Sequence, residues 1–197
     1  MPVAQGLYDP DNEHDSCGVG FLCHLKGKKS HDIIKGALDM NVCMDHRGGC
    51  GFDEATGDGA GLFFQLPHKF FKTVTSELDF ELPDEGQYAV GFVNLSQDPA
   101  ESADAIETYE KIVAKEGQTV LGWRDVPTNS DILGKASREC EPMMKQIFIA
   151  RSPEITDDLD FERKLYVIRR RSSQAVRYCT TSGSESFYTV TLSARTI

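Results

Sequence analysis

Cys17 is the residue whose type and position are best suited to chemistry. It begins an apolar segment that continues to Leu25, and Ser16 precedes it. Residues 1–16 hold four acidic side chains and neither lysine nor arginine, so they lack the basic and apolar regions of a secretory signal. We expect residues 1–16 to be a removable leader. Its loss would leave Cys17 as the amino-terminal residue of one domain, residues 17–197.

An amino-terminal Cys17 would carry a thiol and a free α-amine on one residue. The thiolate is the nucleophilic form, and the α-amine has a lower ordinary pKa than the thiol, so the amine can accept the thiol proton. Terminal amines serve as the base in this way for threonine nucleophiles, and no histidine or aspartate partner is then required. The alternative is an ordinary buried cysteine, because free cysteine is among the most buried residue types.

A weaker pattern, formed by Cys43, His46 and Cys50, has a spacing loosely similar to that of metal ligands. No second pair of ligands follows it in the sequence, whereas structural zinc sites usually need four organised ligands. We therefore expect no metal in this segment, and a thiol redox or metal protein built on Cys43 and Cys50 is the less favoured interpretation. Without a secretory signal, the six cysteines are expected to be reduced thiols of a cytoplasmic protein.

Length and charge argue against several classes of function. The chain of 197 residues suits one domain with a substantial core, and its net charge of -10 opposes binding to nucleic acid or to an anionic membrane. No stretch of the sequence approaches the roughly 18 consecutive apolar residues of a membrane span. We expect neither nucleic acid nor a membrane as a partner.

The hydrophobic pattern predicts strands that alternate with helices. Strands are expected at residues 17–25, 62–66, 88–95, 119–125, 145–151 and 187–193, and helices at residues 30–46, 68–78, from Asp98 onward and at 157–177. Residues 88–95 are apolar on both faces, which indicates a strand that is covered on both sides. Alternation alone favours a parallel α/β sheet.

The first predicted helix should begin at a Ser30 cap and end at Gly48 and Gly49. One apolar stripe is expected on it, formed by Ile33, Ile34, Ala37, Leu38 and Val42. We expect this stripe to face the core.

Three further glycines, Gly57, Gly59 and Gly61, resemble part of a dinucleotide-binding fingerprint. That fingerprint follows a strand and opens a helix, whereas these glycines follow a predicted helix and precede a predicted strand. A loop whose backbone packs closely is therefore the favoured interpretation.

A set of motifs follows in order along the chain: Gly6-Leu7-Tyr8-Asp9-Pro10, His14-Asp15-Ser16-Cys17-Gly18-Val19-Gly20-Phe21, Met44-Asp45-His46-Arg47-Gly48-Gly49, Thr56-Gly57-Asp58-Gly59-Ala60-Gly61 and Leu192-Ser193-Ala194-Arg195-Thr196-Ile197. Together they resemble the first half of the amino-terminal glutaminase domain of the glutamate synthase large subunit family, so that residues 17–197 would be the amino-terminal part of that domain. That domain is a class II glutamine amidotransferase of the amino-terminal-nucleophile type.

The resemblance implies an α+β fold, a four-layer αββα sandwich of the amino-terminal-nucleophile hydrolase type with mostly antiparallel sheets, here incomplete. It implies that Cys17 attacks the side-chain amide of L-glutamine, that ammonia leaves a γ-glutamyl thioester, and that water then releases glutamate. Arg47 and Gly48 are implied to order the pocket without taking part in the chemistry.

For a full-length enzyme the resemblance implies FMN, an iron–sulfur cluster and NAD(P)H or ferredoxin, none of them in this segment. The implied partners are a small subunit and the remainder of the chain, which would make glutamate from 2-oxoglutarate and ammonia. The family's carboxylate-binding arginine and oxyanion Asn-Gly pair lie in motifs downstream of Ile197, so this chain alone is expected to be inactive. A truncated amidotransferase fold that binds or regulates without turnover is the alternative.

Overall fold

The computed structural model describes residues 18–49, 55–57, 59–177 and 188–194. The described residues of Met1–Phe64 form one compact unit together with Ile132–Lys135, and those of Gln65–Asp131 and Ala136–Ile197 form a second. Within the described residues, no helix is long and apolar enough to cross a membrane.

The first unit contains helix α1, His31–Cys43, which begins as predicted. The Asp32 backbone N–H donates a hydrogen bond to the Ser30 Oγ at 3.1 Å. This bond satisfies one of the N–H groups that the first turn of a helix leaves free. Ser30 therefore fixes where α1 starts.

The end of α1 differs from the prediction. The helix stops at Cys43, and a 3₁₀ turn, Asp45–Arg47, follows after Met44. Gly48 has an extended backbone with a φ of -81°, not the left-handed conformation of a glycine cap. The Arg47 N–H donates to the Met44 carbonyl at 2.8 Å, so a tighter turn, and not a glycine, ends this helical stretch.

The predicted apolar stripe of α1 is only partly right. Ile33, Ile34 and Ala37 are half-buried, but Leu38 is 50% exposed and Val42 is 74% exposed. The side chains that face the neighbouring chain segment lie on a different side of the helix, which the pattern of aliphatic residues alone does not reveal.

Two predicted strands, residues 17–25 and 62–66, are wrong over their described residues. Residues 18–24 and 61–67 have no regular secondary structure, and the side chains of Val19 and Phe21 are both 88% exposed. An apolar segment forms a strand only when a neighbouring strand bonds its backbone N–H and C=O groups. In the described part of the first unit no strand does so.

The remaining elements follow in chain order: helix α2 (His68–Thr75), strand β1 (Tyr88–Leu95), helix α3 (Pro99–Lys115), strand β2 (Thr119–Asp125), a 3₁₀ turn (Ser130–Ile132), helix α4 (Lys135–Glu139), strand β3 (Met143–Ala150), helix α5 (Asp158–Arg177) and strand β4 (Tyr188–Ser193). Strands β1 and β2 have the predicted bounds, and the other strands and long helices lie within a few residues of theirs. The 3₁₀ turn and α4 were not predicted. The predicted Asp98 cap is confirmed, because its Oδ1 accepts bonds from the N–H groups of Ala100 and Glu101 at 2.8 and 3.1 Å.

The four strands of the second unit form one antiparallel sheet in the order β2-β3-β1-β4. Helix α3 connects β1 to β2, and α5 connects β3 to β4, but in each case another strand lies between the two strands joined. This is the split βαβ topology of ferredoxin-like folds. The parallel sheet expected from alternation is therefore wrong, and the antiparallel sheet implied by the resemblance is confirmed. A second sheet, which a four-layer sandwich needs, is not found among the described residues.

Both faces of this sheet are covered, as predicted for β1. On one face, Ala89 and Val93 of β1 and Ile147 of β3 pack in a core with α3 and α5. On the other face, Tyr88 and Phe148 pack with Phe71 of α2. Six half-buried side chains pack around these three: Leu66, Val74, Phe80, Leu82, Val90 and Leu121. Successive residues of β1 and β3 alternate between the two clusters because strand side chains point to opposite faces in turn.

Glu116 links α3 to α5 beside the first of these clusters. It follows the last residue of α3, and Gly117 ends the helix with a φ of +75°. The Glu116 side chain is 11% exposed, and its carboxylate accepts hydrogen bonds from Arg171 and, at 3.2 Å, from the Lys164 Nζ. The hydrogen bond from Arg171 holds the pKa of Glu116 below its ordinary value, although burial opposes the shift.

We expect Glu116→Gln to lower the free energy of unfolding at neutral pH by about 1 kcal/mol, the upper range for partly exposed ion pairs. Because the folded-state pKa of Glu116 lies below the unfolded value, this stabilisation is present above the unfolded pKa and is lost as the pH falls through the folded one. Urea unfolding of both proteins, followed by fluorescence of Trp123, the single tryptophan, should show a difference that shrinks in acid.

The exposed pair of Glu107 and Lys111, 2.6 Å apart, provides the control. Glu107→Gln should change the free energy of unfolding by less than about 0.5 kcal/mol. A Glu116→Gln effect that does not change between neutral and acid pH would show that lost packing, and not the carboxylate charge, is responsible.

Candidate functional site

The chain segment that follows Cys17 lies along helix α1 in the first unit. A Cβ added to Gly18 would lie 3.0 Å from the Met44 Sδ, and a Cβ added to Gly20 would overlap the Met40 Sδ and lie 2.8 Å from the Met40 Cε. These two glycines therefore lie against the side chains of Met40, in α1, and of Met44, its C-cap.

Gly36 and Leu22 form the next contact between the helix and the segment. A Cβ added to Gly36 of α1 would lie 3.4 Å from the Leu22 Cδ1. Residues 18, 20 and 22 thus meet residues 44, 40 and 36, so the segment and the helix lie antiparallel. Two residues of extended chain advance about 6.6 Å, and four residues of helix advance about 6.0 Å. The two repeats match, so each second residue of the segment meets the next turn of the helix.

The predicted pocket-ordering residues lie at the end of this line. A Cβ added to Gly18 would lie 3.5 Å from the Cβ of Arg47, which places the 3₁₀ turn beside the residue bonded to Cys17. The Gly48 N–H donates to the Asp45 carbonyl at 3.0 Å, and a Cβ on Gly48 would lie 3.3 Å from that oxygen. The arrangement brings Gly18 and Arg47 together. The predicted nucleophile itself, Cys17, lies outside the described residues.

The glycine loop is attached to the same helix. The Asn41 Nδ2 of α1 donates to the Gly61 carbonyl at 3.3 Å. However, a Cβ on Gly59 or on Gly61 would meet nothing within 4 Å. The expectation of a closely packed glycine backbone is therefore wrong at these two positions; a helix does not follow them directly, because residues 61–67 have no regular structure.

Of the weaker pattern with metal-ligand spacing, only Cys43 and His46 lie within the described residues. Cys43 is exposed, and the His46 Nδ1 lies 3.0 Å from the Cys43 carbonyl oxygen, so one ring nitrogen is engaged with the backbone. Cys50 lies outside the described residues. Among the residues that are described, no group of three or more His, Cys, Asp or Glu side chains could hold a metal ion.

Sequence reasoning missed Gly36, Met40 and Met44. Methionine has no characteristic chemistry, and the more apolar Leu38 and Val42, on the other side of α1, dominate its hydrophobic pattern. The pattern that could have revealed them is the pair of alternating glycines, Gly18 and Gly20, together with a spacing of four residues on the helix.

The comparisons with known proteins agree with the motifs. The family of class-II glutamine amidotransferases matches residues 17–197, and the chain belongs to this family.

The proteins to which this chain is similar include glutamate synthases that are much longer than it. The glutamate synthase [NADPH] large chain of Bacillus subtilis is 46% identical over 197 residues, ferredoxin-dependent glutamate synthase 1 of Arabidopsis thaliana is 40% identical over 196 residues, and glutamate synthase [NADH] of Schizosaccharomyces pombe is 39% identical over 203 residues. Each similarity covers 100% of this chain but only 13%, 12% and 9% of the respective relative. The chain therefore spans about a tenth of the length of these relatives.

Proposed function

We propose that this chain is the glutaminase portion of a glutamate synthase and that Cys17 is its nucleophile. The observation that carries the proposal is the class-II amidotransferase match over residues 17–197, whose first position is Cys17. The names of the relatives support the assignment to glutamate synthase.

In the proposed reaction the α-amine of Cys17 accepts the thiol proton, and the thiolate attacks the amide carbon of the glutamine side chain. The tetrahedral intermediate collapses as the C–N bond breaks and the amine returns the proton to the departing ammonia. A γ-glutamyl thioester remains. Water, deprotonated by the same amine, then attacks the thioester, and glutamate and the free thiol are released. The net change is glutamine plus water to glutamate plus ammonia.

This mechanism requires that Cys17 be amino-terminal, so we propose that residues 1–16 are a leader and residues 17–197 the amidotransferase segment. The start of the family match at residue 17 supports that boundary. An amide nitrogen in place of the α-amine would have no basic lone pair, and the thiol would lose its base.

The rest of the proposed enzyme would combine the ammonia with 2-oxoglutarate. The similarity to glutamate synthases supports FMN, an iron–sulfur cluster and NAD(P)H or ferredoxin for that step, in a cytoplasmic enzyme whose partners are the remainder of the chain and a small subunit. We place these groups in the remainder of the chain and not in residues 17–197.

We also propose that the complete domain has the four-layer αββα arrangement of the family, and that the strand predicted at residues 17–25 belongs to its second sheet. Both faces of the second unit's sheet are already covered by its own helices and aromatic side chains. The first unit instead has exposed apolar side chains at Val19, Phe21 and Phe63. Residues 17–25 would become a strand where a neighbouring strand accepts their backbone hydrogen bonds.

An isotope experiment tests the proposed function. The complete enzyme, given 2-oxoglutarate, a reductant and glutamine labelled with heavy nitrogen in its side-chain amide, should produce glutamate labelled in its α-amino group. Release of labelled ammonia without labelled glutamate would refute the glutamate synthase assignment while leaving the glutaminase assignment intact.

We expect Arg47→Ala to lower glutamine-dependent activity by about tenfold, because Arg47 lies beside Gly18 and is proposed to order the pocket. A tenfold loss corresponds to about 1.4 kcal/mol. Ammonia-dependent activity should not change. Steady-state assays with each nitrogen donor would measure both, and Lys28→Ala, an exposed cation elsewhere in the first unit, is the matched control. Equal loss with both donors would assign Arg47 to folding instead of to the pocket.

A further inference from the structure

We propose that Met40 and Met44, with Gly36, are positioning residues that set where the nucleophile-bearing segment lies. This inference rests on the proposed function, since it gives these residues a purpose only if Cys17 attacks glutamine. None of the three touches the reacting atoms; they act through residues 18–22. The feature is called the α1 rail below, and it comprises Gly36, Met40 and Met44.

The spacing of the contacts carries the proposal. Gly36 and Met40 lie on one line of α1, since residues four apart are neighbours on a helix surface, and Met44, the C-cap of α1, continues that line. They meet positions 22, 20 and 18 in that order. A shift of the segment by one residue would replace the glycines at these contacts by Val19 and Phe21, and the Met40 and Met44 side chains would then have to move aside, because a single Cβ on Gly20 already overlaps Met40. The α1 rail therefore disfavours a one-residue shift of the segment.

The rail contacts the segment through side chains and not through backbone hydrogen bonds. Residues 18–24 have no regular secondary structure here, and in a strand positions 18, 20 and 22 would share one face. The rail contacts therefore do not depend on whether the segment pairs with a neighbouring strand. Methionine suits this task because it fills irregular gaps.

Position matters more for this segment than for an ordinary loop. A misplacement of about 1 Å from a substitution outside the reaction centre can lower a rate by about 10²-fold. Gly18 is bonded to Cys17, and its close neighbours are Met44 and Arg47. Fixing Gly18 against the end of α1 therefore restricts where the thiol and α-amine of Cys17 can be presented to glutamine.

The test is a pair of complementary substitutions in the complete enzyme. Gly20→Val adds bulk where the Met40 side chain lies and should displace the segment, lowering kcat with glutamine by about 10²-fold with little change in KM. Ammonia-dependent activity should be unchanged. Met40→Ala in the same chain makes room for the valine and should restore at least about tenfold of the lost kcat, as expected for coupled neighbours.

If Gly20→Val fails to fold, two further variants test whether the α1 rail positions the segment. Met44→Ala should lower glutamine-dependent kcat by about tenfold, and Met44→Leu, which conserves volume, should retain it. Val42→Ala, on an exposed side of the same helix, is the control and should match the unaltered enzyme.

The proposal is overturned if Met40→Ala does not rescue a folded Gly20→Val protein, or if Met44→Ala leaves kcat with glutamine unchanged. Failure of the proposed function has a separate signature, which is continued use of glutamine by Cys17→Ala.

Discussion

Cys17→Ala is expected to abolish glutamine-dependent glutamate synthesis by the complete enzyme while ammonia-dependent synthesis continues. The thioester cannot form without the thiol, so the rate with glutamine should fall by at least about 10³-fold. Added ammonia bypasses the glutaminase reaction, because the proposed synthase portion uses ammonia directly. Initial rates with each nitrogen donor measure the two reactions in the same preparation.

Two exposed cysteines provide matched controls. Cys23→Ala and Cys140→Ala remove free thiols from surface positions and should leave both activities unchanged. Equal loss of both activities in Cys17→Ala would indicate misfolding. Retained glutamine use would exclude Cys17 as the nucleophile.

A chain that keeps residues 1–16 is expected to have less than about a hundredth of the glutaminase activity of the same enzyme beginning at Cys17. The nitrogen of Cys17 is then part of a peptide bond and cannot accept the thiol proton, and loss of a general base typically lowers rates by about 10²–10⁴-fold. The comparison needs two preparations, one with the leader made resistant to removal and one with a free amino-terminal Cys17.

Ammonia-dependent activity again reports on folding in both preparations. A third preparation, with one glycine before Cys17, separates the base from the bulk of the leader, because it restores a free amine at the wrong distance from the thiol. It should remain inactive. High activity in that chain would mean that the leader acts only by blocking access.

The second unit was largely predictable because its signals are local. The Asp98 cap and Pro99 fix the start of α3, and the doubly apolar β1 requires cover on both faces. The alternation of strands and helices in the sequence did not predict the order of the strands in the sheet. The same alternation occurs when the two strands joined by a helix are neighbours and when, as here, another strand lies between them.

The first unit was less predictable because its apolar segments depend on partners. Val19 and Phe21 look like strand residues, but without a neighbouring strand among the described residues they form none. The start of α1 was predicted, since Ser30 caps it within the same few residues. The end was not, because Gly48 and Gly49 suggested a glycine cap where a 3₁₀ turn forms.

The two kinds of site residue were reached by different routes. Cys17 is predicted from the chemistry of an amino-terminal thiol and Arg47 from the family's motif, and both roles stay predictions. Met40 and Met44 contribute by contact alone. Their importance depends on the glycines that face them across the first unit, and a sequence pattern does not pair positions 20 and 40.

The most direct test of the central claim is peptide mass analysis of the active complete enzyme after reaction with an electrophilic analogue of glutamine. The prediction is a chain that begins at Cys17 and carries the analogue on the Cys17 sulfur, with excess glutamine protecting it. A fully active enzyme that retains residues 1–16, or one that carries the analogue on another residue and is inactivated by it, would contradict the account.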